Sequence, residues 1–433
     1  MGEVQAFHCV PCGRRYDAKT LYAPCEDCGY NIEKGITMYK GLLEPVYDYE
    51  KMKEALSKRK LESHRGLASF IDFLPISERF LVSLGEGDTP LLHCKDLSKG
   101  LRAVHVKFEG SNPTSCFKDR ESSMVVSKAL ELGFKTVACA SSGNAAASLA
   151  AYSAKAGLKC RLFVPRAASP AKITQMAVYG AEIVLFDGIY EEAFQLSNRI
   201  ISESGEIYNC NSAVNPLRSE GDKTTAMEIC RDLSWSVPDD VFVPVGNGSN
   251  LYGIWRGFKE LYETGIINTL PRMIGVGVDA GAPLVEAYKR GFKEAHVVDC
   301  KESVAEGAVS AWSYDAPKAI KAIKDSNGAM VSVSDDEVIK ALKSLAKKEG
   351  VFAGPSGIVG LAGMLQLIKE GKIDKYERAV AVLTEGGLKD MRPIANLWKD
   401  HVVQVTSPII QNYPTARERI GDDSINKVRR DIA

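Results

Sequence analysis

From Lys135 to Thr384 the chain alternates short apolar runs with helix-length segments, and this alternation constrains the fold more than any other feature. "KTVACAS" has the length and β-branched content of a buried strand. A glycine turn follows, then the small-residue helix "AAASLAAYSAKAG". "KCRLFVP" and "AEIVLFDG" read as further strands, with the helices "PAKITQMAVYG" and "YEEAFQLSNRIISES" after them. The pattern resumes with "DDVFVPVG", the helix "LYGIWRGFKELYETG" and "RMIGVGVD". The helices "DDEVIKALKSLAKKEG" and "GIVGLAGMLQLIKEG" and the strand "RAVAVLT" close it. Repeated strand-turn-helix units specify an α/β fold with doubly wound parallel sheets. Ligands in such sheets bind beyond the carboxyl ends of the strands, so the turns there are the places to look for chemistry. There is no internal repeat and no low-complexity segment.

With 433 residues the chain exceeds what one compact core organises, and two or three domains are expected. Residues 1–35 form a separate unit. Cys9-Val-Pro-Cys12 and Cys25-Glu-Asp-Cys28 are two C-x-x-C knuckles, each followed by a glycine, Gly13 or Gly29, where the chain must turn. Four thiolates at that spacing can close a tetrahedral site and stabilise a segment with little core of its own. Zinc suits such a zinc-ribbon-like segment better than four unrelated thiols would explain it, and iron also takes sulfur-only tetrahedra. Next, "MYKGLLEPVYDYEKMKEALSKRK" reads as an amphipathic helix after a turn. "LVSLGEGDTPLLHC" reads as a loop before a short strand, and "AVHVKFEG" as a strand. The polar tail after about Pro408 is expected to be poorly ordered or to wrap a neighbour.

Composition excludes some function classes. Lys plus Arg and Asp plus Glu both total 55, so no net charge draws the chain to nucleic acid or an anionic membrane. No apolar stretch is long enough to span a bilayer. The opening "MGEVQAFHCVPCGRRYD" lacks a secretory pattern, and Ala6 breaks the myristoylation pattern. The eleven cysteines are therefore expected as thiols and metal ligands in the cytoplasm rather than as disulfides.

Four loops carry the candidate chemistry: "NPTSCFKDRESS" around Lys118, "SSGN" from Ser141 to Asn144, "VGNGSN" from Val245 to Asn250, and "LTEGGLKD" from Leu383. A strand, a glycine-rich turn and a helix N-terminus converge backbone N–H groups on one point, so Gly246, Asn247, Gly248, Ser249 and Asn250 can cradle a phosphate. An ordinary glycine turn would look the same. The loop is neither G-x-G-x-x-G nor a Walker loop, so NAD and ATP are not suggested. Lys118 alone reads as a solvated lysine. Placed at a helix start after a proline turn, it would meet the helix N-terminal potential and desolvation, both of which favour the neutral amine that forms Schiff bases. Arg218 lies in a polar loop before the helix "DKTTAMEICRDL". It is open between a surface cation and a guanidinium fork for an anion.

The segments "EGSNPTSCFKDR", "SSGNAAASLAAY", "PVGNGSNLYGIW" and "VLTEGGLKD", in this order, resemble those of fold-type II pyridoxal-phosphate enzymes, in particular threonine synthase and its homologues. The resemblance covers about residues 80 to 400. It implies a tryptophan synthase beta-like fold, with a large cofactor-binding domain from residues 36–120 and 215–433 and a small mobile domain from 121–214. It implies that Lys118 forms the internal aldimine with pyridoxal 5'-phosphate and acts as the catalytic base. Asn144 would meet the ring hydroxyl, Gly246 to Asn250 the cofactor phosphate, and Thr384 the pyridine nitrogen. Ser141 and Ser142 would meet the substrate carboxylate, and Arg218 a substrate phosphate. The expected reaction converts O-phospho-L-homoserine and water to L-threonine and phosphate, in a homodimer.

Several positions depart from that family. Ala145 stands where threonine usually follows the Ser-Gly-Asn turn, and Glu385 and Gly386 stand in a loop that often reads Thr-Gly-His-Gly. The glycine after Arg120 is replaced, "NSAVNPLR" runs one residue longer, and 302–317 matches poorly. A β-elimination or β-replacement enzyme acting on a serine-, threonine- or phosphoserine-like amino acid keeps the same cofactor residues. So, by fold alone, would a non-catalytic zinc-ribbon binding protein, although such a protein would have no use for Lys118.

Overall fold

The apolar runs pair as parallel strands because their β-branched residues are buried on both faces by the intervening helices. In the computed structural model, which describes residues 3–18, 24–57, 61, 64–98, 101–292, 296–389 and 391–401, they form two principal sheets. The larger has six strands in the order Ala329–Val333, Arg272–Val278, Asp240–Pro244, Arg378–Leu383, Ala103–Phe108, Leu91–His93. Only the edge pair, Leu91–His93 against Ala103–Phe108, is antiparallel. The smaller sheet has four parallel strands, Glu182–Phe186, Lys159–Pro165, Thr136–Ala140 and Ile207–Asn209, all within 121–214. Val241, Val243, Val380 and Val382 of the large sheet share a core with Ile254, Trp255 and Phe258 of the helix Ser249–Glu263. Val137, Leu162 and Val164 of the small sheet pack on Leu149 and Tyr152.

The N-terminal strands extend past the expected boundary at residue 35. Ala6–Cys9 pairs with Arg15–Asp17 on one side and with Leu43–Val46 on the other. Tyr30–Glu33 and Ile36–Tyr39 form a separate hairpin. Its turn is Lys34-Gly35, with φ of 49° and 79°, the pair of positive values that matches the twist of a two-residue hairpin. The amphipathic helix expected over 38–60 begins later, at Tyr49, and ends at Ala55. Residues 43–46 are taken by the sheet instead, and Asp48 caps the helix by accepting from Lys51 N at 3.0 Å.

Short elements not anticipated above also appear, among them the helices Pro283–Lys289 and Ala316–Asp325. The chain divides into two compact units, 1–391 and 392–433. Of the second, the described portion is a 3-10 helix, Arg392–His401. The expectation for the tail after about Pro408 lies outside the described residues. Among the described residues no helix is long and apolar enough to cross a membrane.

Candidate active site

Lys118 opens the helix Lys118–Glu131. The chain ahead of it is bent by Pro113 and by Ser115, whose φ of 61° is unusual for a residue with a Cβ. Asp119 locks this bend to the helix, accepting from Thr114 N at 2.6 Å and from Ser148 Oγ at 2.6 Å. Burial pushes its carboxyl up to about 6 although these hydrogen bonds pull the other way. Arg120 is fully buried and pairs with two carboxylates, Glu109 (Nε to Oε2, 2.7 Å) and Glu228 (Nη1 to Oε1, 2.7 Å). Lys107 joins Glu228 at 2.9 Å. The first turn of the Lys118 helix is therefore fixed by charge as well as packing. A buried network is favourable only where its members are satisfied, as here. Phe117 N donates to Thr384 O at 3.0 Å, which ties Lys118 to the end of the strand Arg378–Leu383.

Every candidate cofactor and substrate residue lines one cleft of about 750 Å3: Lys118; Ser141, Ser142 and Asn144; Arg218; Gly246 to Asn250; and Thr384. The cleft lies at the carboxyl ends of Thr136–Ala140, Asp240–Pro244 and Arg378–Leu383, where a doubly wound sheet places ligands. Gly248 stands at the N-terminus of the helix Ser249–Glu263 with φ of 98°, and a Cβ there would meet Ala319 Cβ at 2.8 Å. Only glycine fits, and the turn leaves backbone N–H groups at a positive helix end. The loop is braced from behind by 302–317. Ser313 Oγ donates to Gly246 O, and Asp315 N donates to Asn247 O at 3.0 Å. Glu306 to Ala311 form one wall. The family resemblance places pocket wall in this stretch, but its poor match gave no roles to the residues within it.

The cleft carries polar atoms that await a ligand. Asn144 Oδ1 and both amide atoms of Asn250 are buried without a hydrogen-bond partner among the described residues. Each such atom costs about 1–3 kcal/mol until it is paired. An anionic, ring-bearing cofactor such as pyridoxal phosphate fits that set: a glycine-lined helix end for phosphate, amides for ring oxygens, the Thr384 hydroxyl, and a lysine within the same cleft.

Four residues at the cleft were not assigned a part in it by the sequence. Glu121, in the first turn with Lys118, accepts from Lys118 Nζ at 2.7 Å and from Arg218 Nη2. Burial would push its carboxyl up, but Arg218 and then Lys118 outweigh burial and hold it at about 2. Arg218 opens the helix Arg218–Asp232 rather than sitting in a loop before it, because Asn215 turns the chain by accepting from Leu217 N at 3.0 Å. Glu385, buried, accepts from Asn144 Nδ2 at 2.6 Å. Lys34 and Ile36, from the N-terminal hairpin, reach the cleft wall. Ile36 also belongs to the main core. A carboxylate three residues after Lys118 was a readable signal for the first of these. Glu385 was visible as a departure in the fourth loop but not as a partner of Asn144, and Lys34 and Ile36 carried no signal.

The four N-terminal thiols converge away from the cleft. Their sulfurs lie within 4.8 Å of one another, with Cys9 to Cys28 at 3.6 Å and Cys12 to Cys25 at 3.7 Å. Zn–S bonds of about 2.3 Å put tetrahedral sulfurs about 3.8 Å apart, so the set fits such an ion. Gly41 passes so close that a Cβ would meet Cys28 Cβ at 2.6 Å.

Comparison with known proteins agrees with this geometry. Residues 82–385 match the family model described as "Pyridoxal-phosphate dependent enzyme". The chain is 42% identical over 387 residues to a threonine synthase of Methanocaldococcus jannaschii, covering 88% of this chain and 92% of that one. It is 36% identical over 398 residues to a threonine synthase of Methanosarcina acetivorans, covering 91% and 95%. Among solved structures, a fungal L-serine ammonia-lyase from Rhizomucor miehei aligns with a TM-score of 0.62 at 19% identity, covering 72% of this chain and 98% of that one. Maize serine racemase aligns at 0.61 and 20%, covering 72% and 91%. These two likenesses show the fold.

Proposed function

The chain belongs to the family of pyridoxal-phosphate-dependent enzymes, and from that premise we propose how the residues of its cleft divide the work. It is a threonine synthase-like lyase whose substrate is a small amino acid. Pyridoxal phosphate, when bound, supplies a sink for the electrons left at the substrate Cα. The backbone of Gly246 to Asn250 would hold its phosphate, Asn144 its ring hydroxyl, Thr384 Oγ1 its pyridine nitrogen and Lys118 its aldehyde carbon. A hydroxyl rather than a carboxylate at the pyridine nitrogen favours elimination and replacement over transamination.

Ser141 and Ser142 bind the substrate carboxylate. Lys118 Nζ, as the free amine, takes the Cα proton and then one Cβ proton, whose electron pair forms a Cβ–Cγ double bond as phosphate leaves Cγ. One proton goes back to Cγ, and one to Cα after water has added at Cβ. Arg218 receives the phosphate of O-phospho-L-homoserine and stabilises its departure from Cγ, a task suited to a planar guanidinium. Water then adds at Cβ to give L-threonine. Residues 121–214 act as the small domain, closing over the substrate to exclude bulk water.

The observation that carries this reading is the convergence of Lys118, Asn144, the Gly246–Asn250 turn and Thr384 on one cleft. The test has two steps. Purified protein with the cofactor should show the visible band of a lysine-bound pyridoxal. Borohydride should then fix the cofactor to the peptide containing Lys118. Loaded enzyme is next given O-phosphohomoserine, O-phosphoserine, threonine and serine separately. Threonine plus phosphate from the first supports the reading, and a colourless protein that takes up no cofactor sinks it. A second reading, β-elimination or β-replacement, is favoured by Ala145 and by Glu385 beside Asn144. Ammonia or a keto acid from serine, threonine or phosphoserine, with no threonine formed, would select it.

The four thiols support a structural zinc held by Cys9, Cys12, Cys25 and Cys28. Elemental analysis of reduced protein should find one zinc per chain, and finding iron or no metal would remove it. The balanced charge supports neither nucleic acid nor a membrane as partner. We take the working state as a cytoplasmic homodimer, which light scattering checks by mass and fractionation by location.

A further inference from the structure

Arg218 does not meet the cleft as a free cation. Its Nη1 donates to Cys210 O and its Nη2 to Glu121, and only Nε is without a partner among the described residues. The ion pair is enclosed, with side-chain exposures of 8% for Arg218 and 1% for Glu121. The other Glu121 oxygen takes Lys118 Nζ at 2.7 Å and lies 3.4 Å from Ser249 Oγ, at the head of the glycine turn. One carboxylate thus links the reactive lysine, the proposed phosphate clamp and the cofactor loop. Two more carboxyls, Asp222 and Asp315, are buried in the field of the same cations. Burial pushes both up, Asp222 well up, and it is Glu121 that makes the hydrogen bonds to Arg218 and Lys118.

An anion that reaches Arg218 must therefore displace a carboxylate already bound there. A monoanion exchanges one carboxylate for another and gains nothing for the disruption. A phosphate dianion brings more charge and three acceptor oxygens, so it can compete with the single Glu121 carboxylate for the guanidinium. Specificity is a difference of affinities, and a resident competitor enlarges that difference.

We propose that Glu121 is a specificity-determining residue: a built-in anion that occupies the Arg218 guanidinium and yields it only to a doubly charged group on the substrate. This rests on Arg218 being the phosphate clamp. It adds that the clamp is masked at rest, and that the mask rejects substrates bearing a hydroxyl or a single carboxylate in place of phosphate.

The experiment measures inorganic phosphate and acetate binding to the cofactor-loaded protein by calorimetry at pH 8. Loading keeps the Gly246–Asn250 turn filled, so added phosphate reports on the Arg218 end. Four proteins are compared: wild type, Glu121→Gln, Glu121→Gly and Arg218→Ala. Gln keeps the shape of the side chain and Gly removes it, so misfolding of one leaves the other to answer. Circular dichroism confirms the fold of each. Removing a charge-assisted competitor should tighten phosphate about ten- to a hundredfold in both Glu121 variants and bring acetate binding into range. Arg218→Ala should lose phosphate. Unchanged phosphate affinity in the Glu121 variants, with loss in Arg218→Ala, overturns the mask and leaves the clamp standing. Unchanged affinity in Arg218→Ala overturns both.

Discussion

The two ends of the cleft bury polar groups in opposite ways. At the Gly246–Asn250 end, Asn250 and Asn144 keep amide atoms without a partner among the described residues, and the N-terminal turn of the helix Ser249–Glu263 lines the cleft. At the Arg218 end, one carboxylate already pairs with both the guanidinium and Lys118, leaving of Arg218 only Nε without a partner among the described residues. The first end is stabilised by what enters it, whereas the second is stable as it stands and must be opened. Binding free energy at an open end is mostly gain. At a closed end it is the difference between a contact made and a contact broken.

Substitutions can break or sharpen this contrast. The largest effect is expected at the point the two ends share. Lys118→Ala removes the proposed base, so turnover should fall by about 10²–10⁴-fold or more, measured by phosphate release, with no cofactor fixed to the chain by borohydride. Next comes the closed end. Arg218→Ala leaves the Glu121 carboxylate buried with Lys118 as its remaining close partner, a loss of about 3–5 kcal/mol in stability by denaturant titration of cofactor-free protein. Asn144→Ala at the open end should change that titration little, and equal losses at both sites would erase the distinction.

The pH dependence has a defined sign. The Glu121 carboxyl is held near 2 in the folded chain, below its ordinary value of 4.5. Its contribution is fully present above pH 4.5 and is lost as pH falls toward 2, a change of roughly 3 kcal/mol. Glu121→Gln should flatten that stretch of the stability curve, and a curve identical to wild type would contradict the pairing. A smaller effect is expected at Gly248→Ala, where a strained φ and contact with Ala319 should cost about 1–3 kcal/mol and weaken cofactor retention in a spectroscopic titration. The smallest belongs to Lys34→Ala. Its ion pair with Asp299 is solvent-exposed, so the denaturation midpoint should not move measurably.

The open end was legible in the sequence and the closed end was not. A glycine turn between an apolar run and a helix is local, so "VGNGSN" can be read as a candidate anion cradle within a few residues. The Glu121–Arg218 contact joins positions 97 apart, and neither residue's neighbours reveal it. Replacement of the glycine after Arg120 was visible as a departure, but its meaning as a charge depended on where Arg218 folds. The same logic explains the N-terminal segment. Cysteine spacing identified the thiol cluster, which is local, while the pairing of Leu43–Val46 with Ala6–Cys9 spans a loop no pattern marks. The parallel strands were legible because burial on both faces writes itself as a continuous apolar run.

The hairpin turn at Lys34-Gly35 has a consequence for heredity. A recombination breakpoint drawn from the cysteine motifs, at residue 35, would fall inside that turn and sever one paired strand from the other. The fragment left behind would carry Ile36 and Met38 without the partner strand that holds them in register, and the cleft would lose Lys34 from its wall. A cut at residue 35 therefore does not release the thiol-bearing segment cleanly from the rest of the chain.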